Sequence, residues 1–312
     1  MNKPIGGYFE LELETKKEYY SNYYRFNLAR NAIAYYFITK NIKTVHVPTF
    51  ICESVINTLL KHNIRIIFYK IKNLLNPYFP QFNKKEGLLI VNHFGLHKEF
   101  NLNSFEYIEN ILIDNSHSFF NDNNLNSVFS PRKFFGTTDG AYLKSSKILD
   151  DYSVLPVFCA LPYIEPLIRR IDNGVEEGFE SYKKLQSLYS SAPIMKMSNF
   201  SMRILESIDY ARVRKRREQN FNFFHKKLFH LNELNLDDRT SLFSYPLLIR
   251  NGQFLREKLI LNKIFTPKYW QGVFENTHAD KYDIDLVSNI IHLPIDQRYN
   301  KKDLSRIIDY LL

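Results

Sequence analysis

The stretch that decides the fold is Ile111–His117, ILIDNSH, which is followed ten residues later by Val128–Ala141, VFSPRKFFGTTDGA. The first segment is an apolar run that ends in a carboxylate, Asp114, and it predicts a buried strand. Lys133 lies in the second segment among three phenylalanines, where desolvation lowers a lysine pKa and favours the neutral, nucleophilic amine. Alternatively, Lys133 is an ordinary solvated lysine and Asp114 only caps the turn that follows the strand.

A buried lysine close to a carboxylate at a strand end suggests pyridoxal phosphate. An enzyme that uses this cofactor needs a lysine to hold the aldehyde as a Schiff base. It also needs a carboxylate that keeps the pyridine nitrogen protonated, so that the ring can withdraw electrons. We therefore predict that Lys133 and Asp114 are the catalytic residues.

Apolar runs alternate with helical patterns through the first half of the chain and predict an α/β fold with a mainly parallel sheet covered on both faces. In such sheets ligands bind at the carboxyl ends of the strands. The predicted strands are residues 44–48, 64–71, 88–95 and 111–114, and the predicted helices between the early strands are residues 28–38 and 49–60.

The second half of the chain has a different pattern. Helical periodicity extends from about residue 162 to 234, and short strands at 247–250 and 290–293 then alternate with helices. We predict a large cofactor-binding domain at residues 1–185, which begins with an aromatic-rich arm, and a smaller α+β domain at residues 186–312.

Composition restricts the possible partners. The 312 residues include 45% hydrophobic side chains, enough for a sizeable core, and the net charge is +9. Lysines are spread along the chain, and the one dense basic run, Arg212–Arg217, lies in a helical pattern, which favours a solvated helix face over nucleic-acid binding. A secretory signal and an apolar stretch of about 18 residues are both lacking. The only cysteines, Cys52 and Cys159, have no metal-ligand spacing. We predict a cytoplasmic protein without nucleic-acid, membrane or metal partners.

Three segments around the predicted site resemble the DegT/StrS family of nucleotide-sugar aminotransferases, which have the type I fold of pyridoxal-phosphate enzymes. Thr49–Asn57 resembles the family's Thr-Phe-Val-Ala-Thr segment and implies that Phe50 stacks on the pyridine ring. Asp114–His117 resembles Asp-Ala-Ala-Gln/His and implies that Asp114 contacts the ring nitrogen and that His117 lies beside the cofactor. Phe129–Gly136 resembles the lysine motif and implies that Lys133 binds the cofactor.

The resemblance also implies a homodimer with shared sites. Met197–Met202 resembles the family's Tyr-Asn-Tyr-Arg-Met-Ser segment, so Asn199 would reach the cofactor phosphate of the neighbouring subunit. The family's Ser-Gly-Thr phosphate turn is replaced here by Leu28-Ala29-Arg30. Phosphate binding is therefore predicted to use other groups. The candidates are Arg30 and Asn31 at a helix start, and Ser130 and Arg132 before the lysine.

These features predict an aminotransferase that acts on a keto-sugar, expected to be nucleotide-linked, in surface-polysaccharide biosynthesis, with glutamate as the amino donor. A lyase or dehydratase on the same fold is one alternative. Relatives that dehydrate a sugar have histidine in place of the lysine, and this chain keeps Lys133. The other alternative is a non-catalytic protein of this fold that binds a sugar nucleotide or a protein partner.

Overall fold

The centre of the molecule is a seven-stranded sheet. A computed structural model describes residues 5–72, 75–121, 124–146, 150–236 and 242–312. The strand order in the sheet is β1-β9-β8-β7-β6-β2-β3. The strands in the first half of the chain are β1 Tyr24–Phe26, β2 Thr44–Pro48, β3 Arg65–Tyr69, β4 Ile71–Lys72, β5 Asn76–Pro77, β6 Glu86–Val91, β7 Ile111–Asp114, β8 Ser127–Phe129 and β9 Ala141–Lys144. Strands β4 and β5 form a separate small hairpin.

Five neighbouring strands of the sheet, β3, β2, β6, β7 and β8, run parallel. Strand β9 pairs antiparallel with β8, and β1 pairs antiparallel with β9. The prediction of a mainly parallel sheet is thus confirmed, and β2 and β7 have the predicted bounds. Part of the predicted N-terminal arm forms β1 and packs on the chain's own sheet.

Both faces of the sheet are covered, because the side chains of successive strand residues point to opposite faces. Leu89 and Leu112 join the cluster formed with the first two helices, α1 Ala29–Thr39 and α2 Glu53–Lys61. Ile90 and Ile113 belong to a second cluster, which includes Leu102, Phe100 and Phe105 from the connection between β6 and β7. Continuous apolar strands are buried in this way on both sides.

The second half of the chain adds helices and a two-stranded antiparallel sheet formed by β10 Tyr245–Leu248 and β11 Ile290–Leu293. The helices are α3 Glu165–Asp172, α4 Val175–Ser191, α5 Asn199–Glu206, α6 Tyr210–Leu228, α7 Gly252–Leu261, α8 Lys281–Asn289 and α9 Lys301–Leu311. Phe50 and Phe94 from the first half insert into the hydrophobic cluster of this second half. The domain boundary at residue 185 stays a prediction.

Across the described ranges, each helix is too short or too polar to cross a lipid bilayer. The same ranges contain no group of three or more His, Cys, Asp or Glu side chains placed to bind a metal ion.

Candidate active site at the carboxyl edge of the sheet

The parallel strands bring the predicted site residues to one edge of the sheet. Phe50 follows β2, His93 follows β6, Asp114 ends β7 and Lys133 follows β8. Parallel strands have their carboxyl ends at the same edge, where ligands bind in open α/β sheets. Residues far apart in sequence therefore meet here because of strand direction alone.

Lys133 lies in a single 3₁₀ turn, Pro131–Lys133, directly after β8. Its Nζ is 2.9 Å from His117 Nε2, and it also lies 5.5 Å from the ring centre of Phe243 and 5.1 Å from that of Tyr269. Burial lowers the pKa of this lysine, and the nearby Arg132 lowers it further, whereas Asp114 acts in the opposite direction. The environment favours the neutral amine that can attack a carbonyl carbon.

Asp114 is buried at the end of β7, close enough to Lys133 for the two charges to interact. Its Oδ1 accepts a hydrogen bond of 2.9 Å from the backbone N–H of Ser116. Burial raises the pKa of this carboxyl, while Ser116 and Lys133 oppose the rise. A cation in the site would therefore help to keep Asp114 ionised.

His117 lies between aromatic rings. It stacks on Trp270 with an interplanar angle of 2° and a centroid distance of 5.4 Å, and on Phe243 at 4.8 Å. Burial and the charge of Lys133 hold the pKa of His117 well below its ordinary value, so the imidazole is neutral. Nε2 faces Lys133, whereas the buried Nδ1 has no hydrogen-bond partner in the described structure.

Phe50 is 1% exposed and is held tightly. Its ring packs against His93 at a centroid distance of 5.4 Å and meets Trp270 edge-on at 4.7 Å. Its carbonyl oxygen is 2.8 Å from His93 Nε2. Phe50 therefore belongs to the aromatic wall of the site, and its stacking on a cofactor ring stays a prediction.

The predicted phosphate ligands at the start of α1 donate hydrogen bonds to carbonyl oxygens of the 189–193 segment. The Asn31 amide donates to Asn27 Oδ1 at 3.0 Å and to the carbonyl oxygens of Ala192 and Pro193 at 3.3 and 2.8 Å. Arg30 donates to the carbonyl oxygen of Tyr189. Both residues are therefore bound to the 189–193 segment. Burial and the positive charge of Arg132, the residue before Lys133, lower the pKa of Arg30, so Arg30 lies within electrostatic range of the site.

The other three predicted ligands, Ser130, Arg132 and Asn199, are placed differently. The guanidinium of Arg132 lies 4.0 Å from the ring centre of Tyr189. Ser130 is buried directly before the lysine turn, and its side chain makes no capping hydrogen bond there. Asn199 is the first residue of α5 and is exposed. Ser130 therefore lies beside the site, whereas Asn199 lies on the surface, where a residue that acts on a neighbouring subunit has to be.

Sequence reasoning missed much of the aromatic wall. Phe94 stacks on both His117 and Trp270, with interplanar angles of 15° and 16°. Phe94 and Trp270 have positive φ angles of 56° and 60°, which bulky residues adopt rarely and mostly at functional sites. The His93-Phe94-Gly95 turn and the single tryptophan were the available signals, although neither indicates a left-handed backbone.

A cavity of about 790 Å³ opens next to Lys133 and extends to the second half of the chain. Its walls include Phe134, Arg217, Phe243, His292 and Gln297. Among its lining residues seven side chains are basic and two are acidic. This volume is in the range of ligand-binding pockets, and the charge favours an anionic ligand.

The residues around Lys133 fit pyridoxal phosphate chemically. Three buried nitrogen atoms in this region, Asn115 Nδ2, His117 Nδ1 and Arg132 Nε, have no hydrogen-bond partner among the described residues. Buried polar atoms are normally paired, so these atoms indicate a polar ligand. A nucleophilic lysine, a carboxylate and unpaired nitrogen atoms together match the donors and acceptors of the cofactor.

Comparison with solved structures supports the fold. The sugar aminotransferase CalS13 from Micromonospora echinospora superposes with a TM-score of 0.61 at 13% identity, over 92% of this chain and 86% of that one. NtdA from Bacillus subtilis, solved with bound cofactor PMP, gives 0.64 at 14% identity, over 92% and 72%. The protein has the sugar-aminotransferase fold.

A third match with this fold is PseC from Helicobacter pylori, an aminotransferase involved in the biosynthesis of pseudoaminic acid. It gives a TM-score of 0.61 at 16% identity, over 92% of this chain and 85% of that one. No family model and no curated protein matches the sequence. The likeness therefore lies in the three-dimensional structure.

Proposed function

We propose that the protein is a pyridoxal-phosphate-dependent aminotransferase of the DegT/StrS type that acts on a keto-sugar. The observation that carries this proposal is the placement of Lys133. Its partly buried amine lies 2.9 Å from His117 and within electrostatic range of Asp114, at the ligand-binding edge of a sheet with the sugar-aminotransferase fold. The related folds belong to sugar aminotransferases, and NtdA was solved with an aminated form of the cofactor.

In this proposal, each residue of the site has a distinct task. The cofactor supplies the aldehyde that takes up the amino group and the ring that withdraws electrons from the reacting carbon. Lys133 would hold the cofactor through its amine. Asp114 would accept a hydrogen bond from the ring nitrogen, and His117 and Phe50 would confine the ring.

Lys133 also serves as the acid–base group. Once released, its amine takes a proton at Nζ from the carbon that carries the amino group and returns it at the carbon that receives the group. Burial lowers the pKa of Lys133, which favours the unprotonated amine that can accept a proton at Nζ. His117 Nε2, at 2.9 Å, keeps the amine in place while it is free.

The finer parts of the function follow from the resemblance of the sequence. The substrate is expected to be a nucleotide-linked keto-sugar of surface-polysaccharide biosynthesis, and the donor glutamate. The working unit is a homodimer, in which the exposed Asn199 at the start of α5 contacts the cofactor phosphate of the other subunit. The excess of basic side chains in the cavity suits an anionic substrate. The cytoplasmic location stays a prediction from the sequence.

The decisive experiment is the visible spectrum of the purified protein with added pyridoxal phosphate, before and after glutamate. We expect a yellow band from lysine-bound cofactor that shifts when glutamate is added. Lys133→Ala should lack that band. Lys263→Ala is the matched control, because Lys263 lines the same cavity but is exposed and pairs with Glu176 at 3.0 Å. The control should keep the band and its response.

Three results would contradict the proposal. A wild-type protein that stays colourless with added cofactor would favour the non-catalytic alternative. A Lys133→Ala variant that transaminates at the wild-type rate would remove the lysine from the mechanism. Release of an elimination product from the sugar instead of an amino-sugar would favour the lyase or dehydratase alternative.

A further inference from the structure

Arg217 differs from every other member of the basic run in α6. The exposed neighbours Arg212, Arg214, Lys215 and Arg216 match the solvated helix face predicted from the sequence. Arg217 is only 1% exposed and contradicts that prediction at one position. An arginine this deeply buried normally has a charged or fully hydrogen-bonded partner.

The guanidinium of Arg217 is incompletely paired. It lies 4.5 Å above the ring centre of Phe134, and Nη2 donates a long hydrogen bond of 3.3 Å to the carbonyl oxygen of Phe243. Nε and Nη1 have no partner in the described ranges. Burial lowers the pKa of Arg217 to about 10, which still leaves it charged at neutral pH. The side chain is therefore a buried cation without a counter-ion.

The nearest carboxylate is committed to another arginine. Asp296 holds Arg298 in a two-pronged pair, with Nε–Oδ1 and Nη2–Oδ2 distances of 2.7 and 2.9 Å. None of the described carboxylates lies within 4.0 Å of Arg217. Since Arg217 lines the cavity beside Lys133, a ligand in that cavity can supply the missing anion.

Gln297 adds a second unsatisfied group to the same wall. Its Nε2 donates to the carbonyl oxygen of Phe134 at 2.8 Å, and this bond fixes the orientation of the amide. The buried Oε1 is left without a donor in the described structure. Arg217 and Gln297 both contact Phe134, the residue that follows Lys133. The wall thus offers one free cation and one free acceptor close to the reactive lysine.

We propose that Arg217 binds a carboxylate of the amino-acid co-substrate, with Gln297 accepting a hydrogen bond from the same molecule. An amino acid carries both a carboxylate and N–H donors, whereas a fully ionised phosphate offers acceptors only. The inference rests on the proposed function, because the amino donor must bind within reach of Lys133. It names Arg217 as the residue that recognises this donor.

The test is calorimetric binding of α-methyl-L-glutamate to the cofactor-loaded protein. This analogue has the carboxylates and the ammonium group of glutamate but no hydrogen on the α-carbon, so it cannot be turned over. Arg217→Met should bind it roughly 10- to 100-fold more weakly, as expected for loss of a charged hydrogen-bonded pair. Arg216→Met, the same substitution at the exposed neighbouring position, should bind like wild type.

Stability separates recognition from a structural role. Replacing an unpaired buried charge with an apolar side chain of similar size is often neutral or stabilising, so Arg217→Met should unfold at the wild-type temperature or above it. Arg217→Lys keeps the charge and should recover part of the affinity. Should Arg217→Met fail to fold, loss of affinity in a folded Arg217→Lys variant would support recognition, and wild-type affinity there would contradict it.

The remaining outcomes distinguish the two proposals. Unchanged analogue affinity in a yellow, folded Arg217→Met protein would overturn this inference and leave the proposed function intact. Loss of uridine diphosphate binding in Arg217→Met, with analogue binding unchanged, would assign Arg217 to a phosphate and would also overturn it. Arg217-dependent analogue binding by a protein that takes up no pyridoxal phosphate would support the inference while the proposed function fails.

Discussion

Lys133 lies between two unlike walls. The sheet-side wall consists of Phe50, His93, Phe94, Asp114 and His117. Each of these residues is at most 9% exposed. The cavity-side wall consists of Phe134, Arg217, Phe243, His292 and Gln297, which border the cavity of about 790 Å³. The sheet-side wall is packed like a protein core, whereas the cavity-side wall borders open space.

This difference in packing indicates that the two walls have different functions. Groups that must stay fixed, such as a carboxylate for a ring nitrogen, benefit from dense packing that sets their position. Groups that meet an exchanging substrate need space and hydrogen-bonding capacity that stays free until the ligand arrives. The sheet-side wall suits the cofactor, and the cavity-side wall suits the substrates that follow one another.

The largest expected change in the free energy of unfolding comes from replacing one phenylalanine of each wall with alanine. Phe94→Ala should lower the free energy of unfolding by about 3–5 kcal/mol, because Phe94 is 1% exposed and its ring packs against several others. Phe243→Ala should cost only about 1–2 kcal/mol, since Phe243 is half-buried and borders the cavity. Urea unfolding of both variants provides the comparison. Equal losses would mean that the two walls are packed alike.

Three residues of the sheet-side wall, Phe50, Asp114 and His117, could be named from the sequence because they lie at or just after the ends of apolar strands. The strand that ends at Asp114 and the one at residues 44–48 were located to the residue from their apolar runs. Parallel strand direction then places Phe50, Asp114 and the lysine segment on one edge without further information. The spacing of apolar residues and the direction of each strand are local properties, so they can be predicted from a single sequence.

The surroundings of Arg217, Trp270 and Asn31 could not be predicted in the same way. Arg217 has the same sequence neighbourhood as the exposed Arg216, and only the packing of α6 against the 243–245 and 294–299 segments buries one of them. Trp270 reaches the site from a left-handed turn that its sequence does not suggest. The amide of Asn31, in the first turn of α1, is bound to the 192–193 carbonyl groups, and its role as a phosphate ligand stays a prediction. Tertiary contacts decide each of these cases.

A smaller change in the free energy of unfolding tests whether Asn31 stabilises the fold or binds the cofactor. Asn31→Ala should cost about 1–3 kcal/mol of unfolding free energy, because it removes the amide that donates to the buried carbonyl oxygen of Ala192. Asn110→Ala is the matched control, since its buried amide also donates to carbonyl oxygens, at the opposite end of β7. Both variants should bind pyridoxal phosphate with wild-type affinity in a spectroscopic titration. A tenfold loss of cofactor affinity in Asn31→Ala alone would assign the residue to the phosphate.

The last comparison measures a slope per pH unit and uses one buried histidine from each wall. Burial lowers the pKa of His93 and that of His292 to about 3, with Lys133 contributing at His292. The unfolded chain binds a proton near pH 6.5, so stability is complete above that pH and falls as the pH decreases toward 3. Each histidine should contribute about 1.4 kcal/mol per pH unit within this window.

The measurement is the pH dependence of the urea-unfolding free energy between pH 6.5 and 4.5 for wild type, His93→Gln and His292→Gln. Each variant should have a shallower slope than wild type by the same amount, because both rings are almost completely buried, at 1% and 4% exposure. If only His93→Gln reduces the slope, His292 takes up its proton in the folded state. Water would then reach the cavity-side wall to the depth of β11, and the difference between the two walls would be larger than their packing indicates.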